Sequence, residues 1–106
     1  MEKTILPAPG AGPSPAAQEK GFYDFRFVGR TADGRELRVK VAGDRDPGYG
    51  STAKILGEAA ACLARDIARD AVGGGFWTPA TALGAALHAR LTTHAGLTIE
   101  VTDPSA

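Results

Sequence analysis

The segment from Tyr23 to Val41 constrains the fold more than any other part of the chain. In Tyr23-Asp24-Phe25-Arg26-Phe27-Val28 the aromatic residues fall at every second position, the period of a strand with one buried face. Thr31-Ala32-Asp33-Gly34 follows, and Asp-Gly between two alternating runs is a strong hairpin signal, because glycine accepts the positive φ that the turn demands. A second run, Arg35 to Ala42, places Leu37, Val39 and Val41 on one side and Glu36, Arg38 and Lys40 on the other. The reading is an antiparallel hairpin with one apolar face, which needs a further layer to cover it.

The helices follow from spacing. After the loop Gly43 to Gly50, Ser51 or Thr52 is a natural N-cap for a helix running to about Asp70, with Ile55, Leu56, Ala59, Cys62, Leu63 and Ile67 as its apolar stripe. Lys54 and Glu58 are set to pair along its flank. Gly73-Gly74-Gly75 ends that region. Thr78 caps a second helix, with Pro79 at the first helical position, where a missing N–H costs nothing. Leu83, Ala86, Leu87 and Leu91 form its stripe, His94 lies near its end and Gly96 stands at its C-cap. A last strand, Leu97 to Thr102, turns Leu97, Ile99 and Val101 inward, and Asp103-Pro104 stops it. The expected architecture is α+β, in the order β-β-α-α-β. It is a mainly antiparallel three-stranded sheet with two helices on one face. Residues 1–20, with four prolines spread among glycines and alanines, read as a linker or arm. Ala16 to Lys20 adds one helical turn closed by Gly21, and residues 21–106 read as the domain proper.

At 106 residues the chain makes at most one domain. Twelve basic residues balance twelve acidic ones, which argues against a general nucleic-acid binder. No run reaches the ~18 apolar residues that span a bilayer, and Met1 to Leu6 leads into prolines with no apolar stretch of signal-peptide length. Cys62 is the only cysteine, so no internal disulfide forms. The expected setting is cytoplasmic.

Two motifs stand out: Asp44-Arg45-Asp46-Pro47-Gly48-Tyr49-Gly50-Ser51-Thr52-Ala53-Lys54, and Gly73-Gly74-Gly75-Phe76-Trp77-Thr78-Pro79-Ala80 followed by Leu83-Gly84. With the aromatic strand, Gly29 to Gly34 and the Leu6 to Ser14 stretch, they resemble the C-terminal end of saccharopine-dehydrogenase-like oxidoreductases, the trans-acting enoyl reductase type in particular. The resemblance covers nearly the whole chain. It implies a preceding dinucleotide-binding Rossmann domain using NAD(P), and a second α/β domain concerned with substrate and subunit contact. This sequence corresponds to the end of the second. It has no strand followed by Gly-x-Gly-x-x-Gly near its start, so the expectation is a substrate-binding or association fragment that binds no cofactor and is inactive alone. The resemblance carries over no catalytic residue.

Three candidate sites emerge. Gly48-Tyr49-Gly50-Ser51-Thr52-Ala53 matches Gly-x-Gly-x-x-Ala, a pattern that can cradle a pyrophosphate at a helix start. The strand before it alternates with charges, whereas a true fingerprint follows a doubly buried parallel strand. What survives is an anion or substrate contact formed by Asp46, Tyr49, Gly50, Ser51 and Lys54; the plainer reading is glycines that let the loop turn into the helix. In the second candidate, the glycines lend a hinge to Phe76, Trp77 and Thr78 over an apolar acyl substrate, or the aromatics pack into the core or a partner. Asp44, Arg45 and Asp46 offer carboxylates for acid–base work, though such loop residues more often cap turns or pair with arginine. His88 and His94 do not share a helix face, which argues against a common metal. Cys62 reads as a small core residue. A second functional class stays open, a non-enzymatic dimerisation or interaction module: unpaired strand edges invite association, and the aromatic face can exceed what two short helices cover. The expected partner is a second copy or the missing Rossmann domain.

Overall fold

The computed structural model describes residues 8–102; the expectations for Met1 to Pro7 and for the Asp103-Pro104 stop lie outside it. Its elements are α1 (Pro15–Lys20), β1 (Tyr23–Arg30), β2 (Glu36–Gly43), α2 (Gly50–Arg65), α3 (Pro79–His94) and β3 (Leu97–Thr102). The three strands form one antiparallel sheet in the order β1-β2-β3. Fold class, element order and antiparallel sheet are those expected from the sequence.

The hairpin turns at Gly34, whose φ of 86° is open to glycine at no steric cost. Register then aligns the apolar residues in rows across the sheet: Tyr23, Gly43 and Leu97; Phe25, Val41 and Ile99; Phe27, Val39 and Val101. The reverse face carries the charges, with Arg26 paired to Asp24 at 2.6 Å, and Arg30 and Arg38 sharing Glu36 at 2.9 and 2.6 Å.

Burial falls off row by row. In the first row Gly43 and Leu97 are buried and the Tyr23 hydroxyl lies 2.7 Å from Ser51 Oγ at the start of α2. A Cβ on Gly43 would overlap the Tyr23 ring, so glycine is what lets that ring cross β2 and reach the helix. Two rows further on, Phe27 is 54% and Val101 71% exposed. Ile99 and Val101 were expected to point into a core. Only Leu97 of the three is buried, because α3 packs on β3 near this first row and no helix extends over the rest.

α2 and α3 pack on each other around Cys62, Leu83 and Leu87, with Ala59, Ile67, Ala82, Ala86 and Leu91 at the margin. Leu56 and Leu63, expected in the α2 stripe, face outward instead and are 69% and 63% exposed. α2 also stops at Arg65, earlier than Asp70. Asp66 caps it and is held from the side by Arg90 of α3, which hydrogen-bonds both Asp66 oxygens and Glu58 at 3.0 Å. The expected Lys54–Glu58 pair therefore does not form: Glu58 belongs to Arg90, and Lys54 lies 3.7 Å from Asp44. α3 starts as expected, with Thr78 as N-cap and Pro79 in the first turn. It is broken at Gly84, whose φ of 47° and ψ of −132° lie outside helical space. Gly96 follows the α3 cap with φ 70°; a Cβ there would run into the Asp44 carboxylate.

The α3 break makes Gly84→Ala costly. A non-glycine residue in such a backbone state costs about 1–3 kcal/mol, and chemical denaturation should register a loss of that size. Arg90 makes a second expectation. Its hydrogen bonds hold the Asp66 carboxyl below the ordinary carboxylate range. The stability this confers is complete above the unfolded carboxylate value of about 4 and disappears as the pH falls through the lower folded value. The stability gap between wild type and Arg90→Met should be full at neutral pH and close below about pH 4; a gap unchanged down to complete acid unfolding would contradict it.

Candidate functional site

The loop before α2 resolves the first candidate cluster. Asp46 turns its carboxylate onto the helix start: Tyr49 N–H donates to Oδ2 at 2.9 Å and Gly50 N–H donates to Oδ1 at 2.8 Å. Its backbone carbonyl accepts from Ser51 N–H at 2.9 Å. This corrects the expected cap. Ser51 and Thr52 do not cap α2; Ser51 is 1% exposed and bonded to Tyr23, and Thr52 Oγ1 donates to the Pro47 carbonyl at 2.7 Å. The chain supplies its own anion where a free helix N-terminus attracts one.

The arm closes the same corner. Asp46 N–H donates to the Gln18 carbonyl at 3.0 Å, Arg45 Nη1 donates to the Glu19 carbonyl at 3.2 Å, and Gly12 passes the Tyr49 ring. Gly21 lies so close to Asp46 that a Cβ would stand 2.7 Å from its Cα. Asp44, Arg45 and Asp46 are thus a turn tied to the arm and to Lys54. A pyrophosphate here would meet the Asp46 carboxylate on the N–H groups it needs. The preceding strand, β2, is the central strand of an antiparallel sheet, not the parallel strand of a nucleotide fold. The geometry does not fit a dinucleotide.

Phe76, Trp77 and Thr78 lie elsewhere, so the sequence candidates form two separate groups. Trp77 Nε1–H donates to the Gly73 carbonyl at 2.8 Å and closes the glycine loop into a ring. Neither aromatic enters the core: Phe76 is fully exposed and Trp77 52% exposed. Trp77 walls a cavity of about 420 Å3 between the end of α2 and the loop, with Leu63, Ile67, Val72 and Ala82 as its apolar lining and Arg69 as its charged lining residue. On the other side of Trp77 lies an apolar groove of about 320 Å3, bounded by Leu56, Leu63, Pro79 and Leu83. Thr78 is engaged in capping, accepting from Thr81 N–H at 3.2 Å. The site can receive an apolar chain. Its lining brings together no nucleophile and base.

Arg90, which joins the helices, carries no motif and is missed by sequence reading; the signal is that it is the one arginine of α3, a helix that holds no acidic residue to pair with it. Burial pushes the Cys62 thiol up, consistent with an inert core residue. Among the described residues no group of three or more metal-ligating side chains comes together, and no helix is long and apolar enough to cross a membrane.

The chain is similar to several mycobacterial proteins. It is 40% identical over 102 residues to a Mycobacterium tuberculosis protein provisionally named a trans-acting enoyl reductase, covering 96% of this chain and 24% of the relative. It is 42% identical over 91 residues to a trans-acting enoyl reductase of Mycobacterium bovis, covering 86% of this chain and 22% of the relative. The Mycobacterium ulcerans trans-acting enoyl reductase is 40% identical over 87 residues, 82% of this chain and 21% of that protein. The chain therefore spans about a quarter of the length of the curated relatives it matches. No family model and no solved structure matches it.

Asp46 is the residue on which the loop geometry turns. Asp46→Ala should cost about 0.5–2 kcal/mol, the usual loss when a side chain that holds helix-start N–H groups is removed, whereas Asp46→Asn, whose one amide oxygen can accept from only one of the two N–H groups, should retain part of that stability. Equal losses in thermal melts of the two variants would show that charge, rather than capping geometry, sets the helix start.

Proposed function

We propose that these residues are the substrate-side, association-bearing part of an enoyl-reductase-type oxidoreductase of the saccharopine-dehydrogenase-like group. Residues 1–20 serve as the connecting arm and residues 21–106 as the packing unit. In such an enzyme a nicotinamide dinucleotide supplies the hydride. The residues that hold it lie outside these 106, so this chain alone performs no reduction. Its contribution is an apolar acyl-binding surface beside Phe76 and Trp77, and an aromatic sheet face against which a further layer packs.

The observation that carries this reading is the mismatch between apolar surface and core. All four phenylalanines of the sequence are more than half exposed. Among the described residues the buried hydrophobic set is Cys62, Leu83, Leu87, Ala95 and Leu97. A large ring moved out of water contributes about 1.5–3 kcal/mol, and a free-standing domain that leaves several of them wet forgoes most of its stabilisation. A piece of a larger protein has this distribution, and the alignment to about one quarter of each relative supports the same reading.

Isothermal titration with NADPH should show no saturable binding in the micromolar range, and the chain mixed with NADPH and an α,β-unsaturated thioester should oxidise none of it. A full-length relative assayed in parallel provides the positive control. Micromolar NADPH binding by this chain, or turnover without any added polypeptide, would overturn the reading.

A further inference from the structure

The cavity beside Trp77 holds two polar features that the fold does not use. Its walls are apolar, formed by Leu63, Ile67, Val72 and Ala82, and its one charged lining residue is Arg69. Among the described residues Arg69 has no carboxylate partner: Asp66 and Glu58 belong to Arg90, and Asp70, its neighbour in the chain, lies outside the lining. Gly73, Gly74 and Gly75 complete the lining, and none of their N–H groups donates to a carbonyl among the described residues. Gly73 and Gly74 have open space where a side chain would stand, so a ligand can approach their backbone closely.

We propose that this cavity binds a linear aliphatic chain ending in a single anionic group, a carboxylate or a phosphate, with the head on Arg69 and the chain running toward Trp77. A volume of about 420 Å3 is within the range of sites that take small organic ligands. Leu63, Trp77 and Ala82 line both this cavity and the groove of about 320 Å3 beyond it. A chain that starts at Arg69 therefore meets a continuous apolar wall in passing from one to the other. The groove has no charged lining residue, which sets the direction: head in the cavity, tail in the groove.

Charge decides the class of ligand. An unpaired guanidinium presents planar donors that suit carboxylate and phosphate oxygens. The carbonyl end of α2 reaches the cavity through Leu63 and Ala64 and disfavours an anion, so the attraction comes from Arg69 and the glycine loop and not from a helix dipole. A neutral chain gains the apolar contacts alone, and a cationic head is repelled by Arg69. The inference deepens the acyl-binding role proposed above, and rests on that reading for the site but not for the reaction.

Trp77 is the only tryptophan of the sequence, so its emission reports directly on a ligand beside it. The 106-residue chain is titrated with decanoate, decyl phosphate and decanol, each kept below the concentration at which it aggregates. Both anions should shift the Trp77 emission to the blue. Decanol should bind at least ~10-fold more weakly than decanoate, the difference expected for a hydrogen bond between charged groups. The tighter of the two anions identifies the head group. Arg69→Glu, at an exposed position, should remove the preference for decanoate with circular dichroism unchanged, and Phe27→Ser, on the sheet face, should leave binding as it is. Equal affinity for decanol and decanoate, decanoate binding indifferent to Arg69→Glu, binding abolished by Phe27→Ser, or an emission unmoved by all of the ligands would each overturn the inference. Micromolar NADPH binding would overturn the oxidoreductase reading and leave these titrations as they are.

Discussion

The row Tyr23, Gly43 and Leu97 is the seam on which the sheet and the helices meet. It works because the middle residue has no side chain. The Tyr23 ring lies across Gly43 and reaches Ser51 at 2.7 Å, while Leu97 on the far side of the row is buried near the end of α3. A strand residue that bonds a helix hydroxyl fixes both the distance and the orientation of the helix start. With α2 anchored here at one end of the sheet, the remaining rows of the apolar face extend beyond the reach of either helix.

The helix pair is secured differently. Its core is small, Cys62 against Leu83 and Leu87, and a core of that size contributes modestly. Arg90 adds direction to it by holding Glu58 and Asp66 of α2 from the neighbouring helix. Guanidinium geometry suits this, since its planar donors can serve two carboxylates at once. The same contact explains why α2 ends where it does: the carboxylate that follows Arg65 is engaged sideways, and the chain turns off into the glycine loop. That loop, closed by the Trp77 indole on Gly73, then leaves its aromatic residues on the surface.

These two arrangements account for the surface character of the molecule. Several charges around the helices are used internally: Asp46 on the start of α2, Asp44 on Lys54, Glu58 and Asp66 on Arg90. Many apolar side chains are left unused, on the sheet face, along α2 and around Trp77. Apolar surface left open in this way supports the proposed role in binding apolar groups and other polypeptide surfaces. At the start of α2 the Asp46 carboxylate occupies the N–H groups that a dinucleotide phosphate would need. Similarity to one quarter of each mycobacterial relative accords with that character.

Local pattern alone determined the hairpin, the antiparallel sheet, both helices, the Thr78 cap and the glycine after α3. Each rests on periodicity or on a residue's own backbone preference, and both are properties of neighbours in the chain. The same information placed Asp44, Arg45 and Asp46 in a turn, where capping is the ordinary role. It assigned the cap of α2 to Ser51 or Thr52, because capping statistics weigh proximity and cannot see that Tyr23 claims Ser51 from another element. It counted Leu56 and Leu63 as core, because a stripe records which residues are apolar and is silent on which side a neighbour lies. Only the tertiary structure decided which apolar faces are covered, since burial depends on where α3 comes to rest against α2 and β3, and that is fixed by long-range contacts such as Arg90 with Glu58 and Asp66.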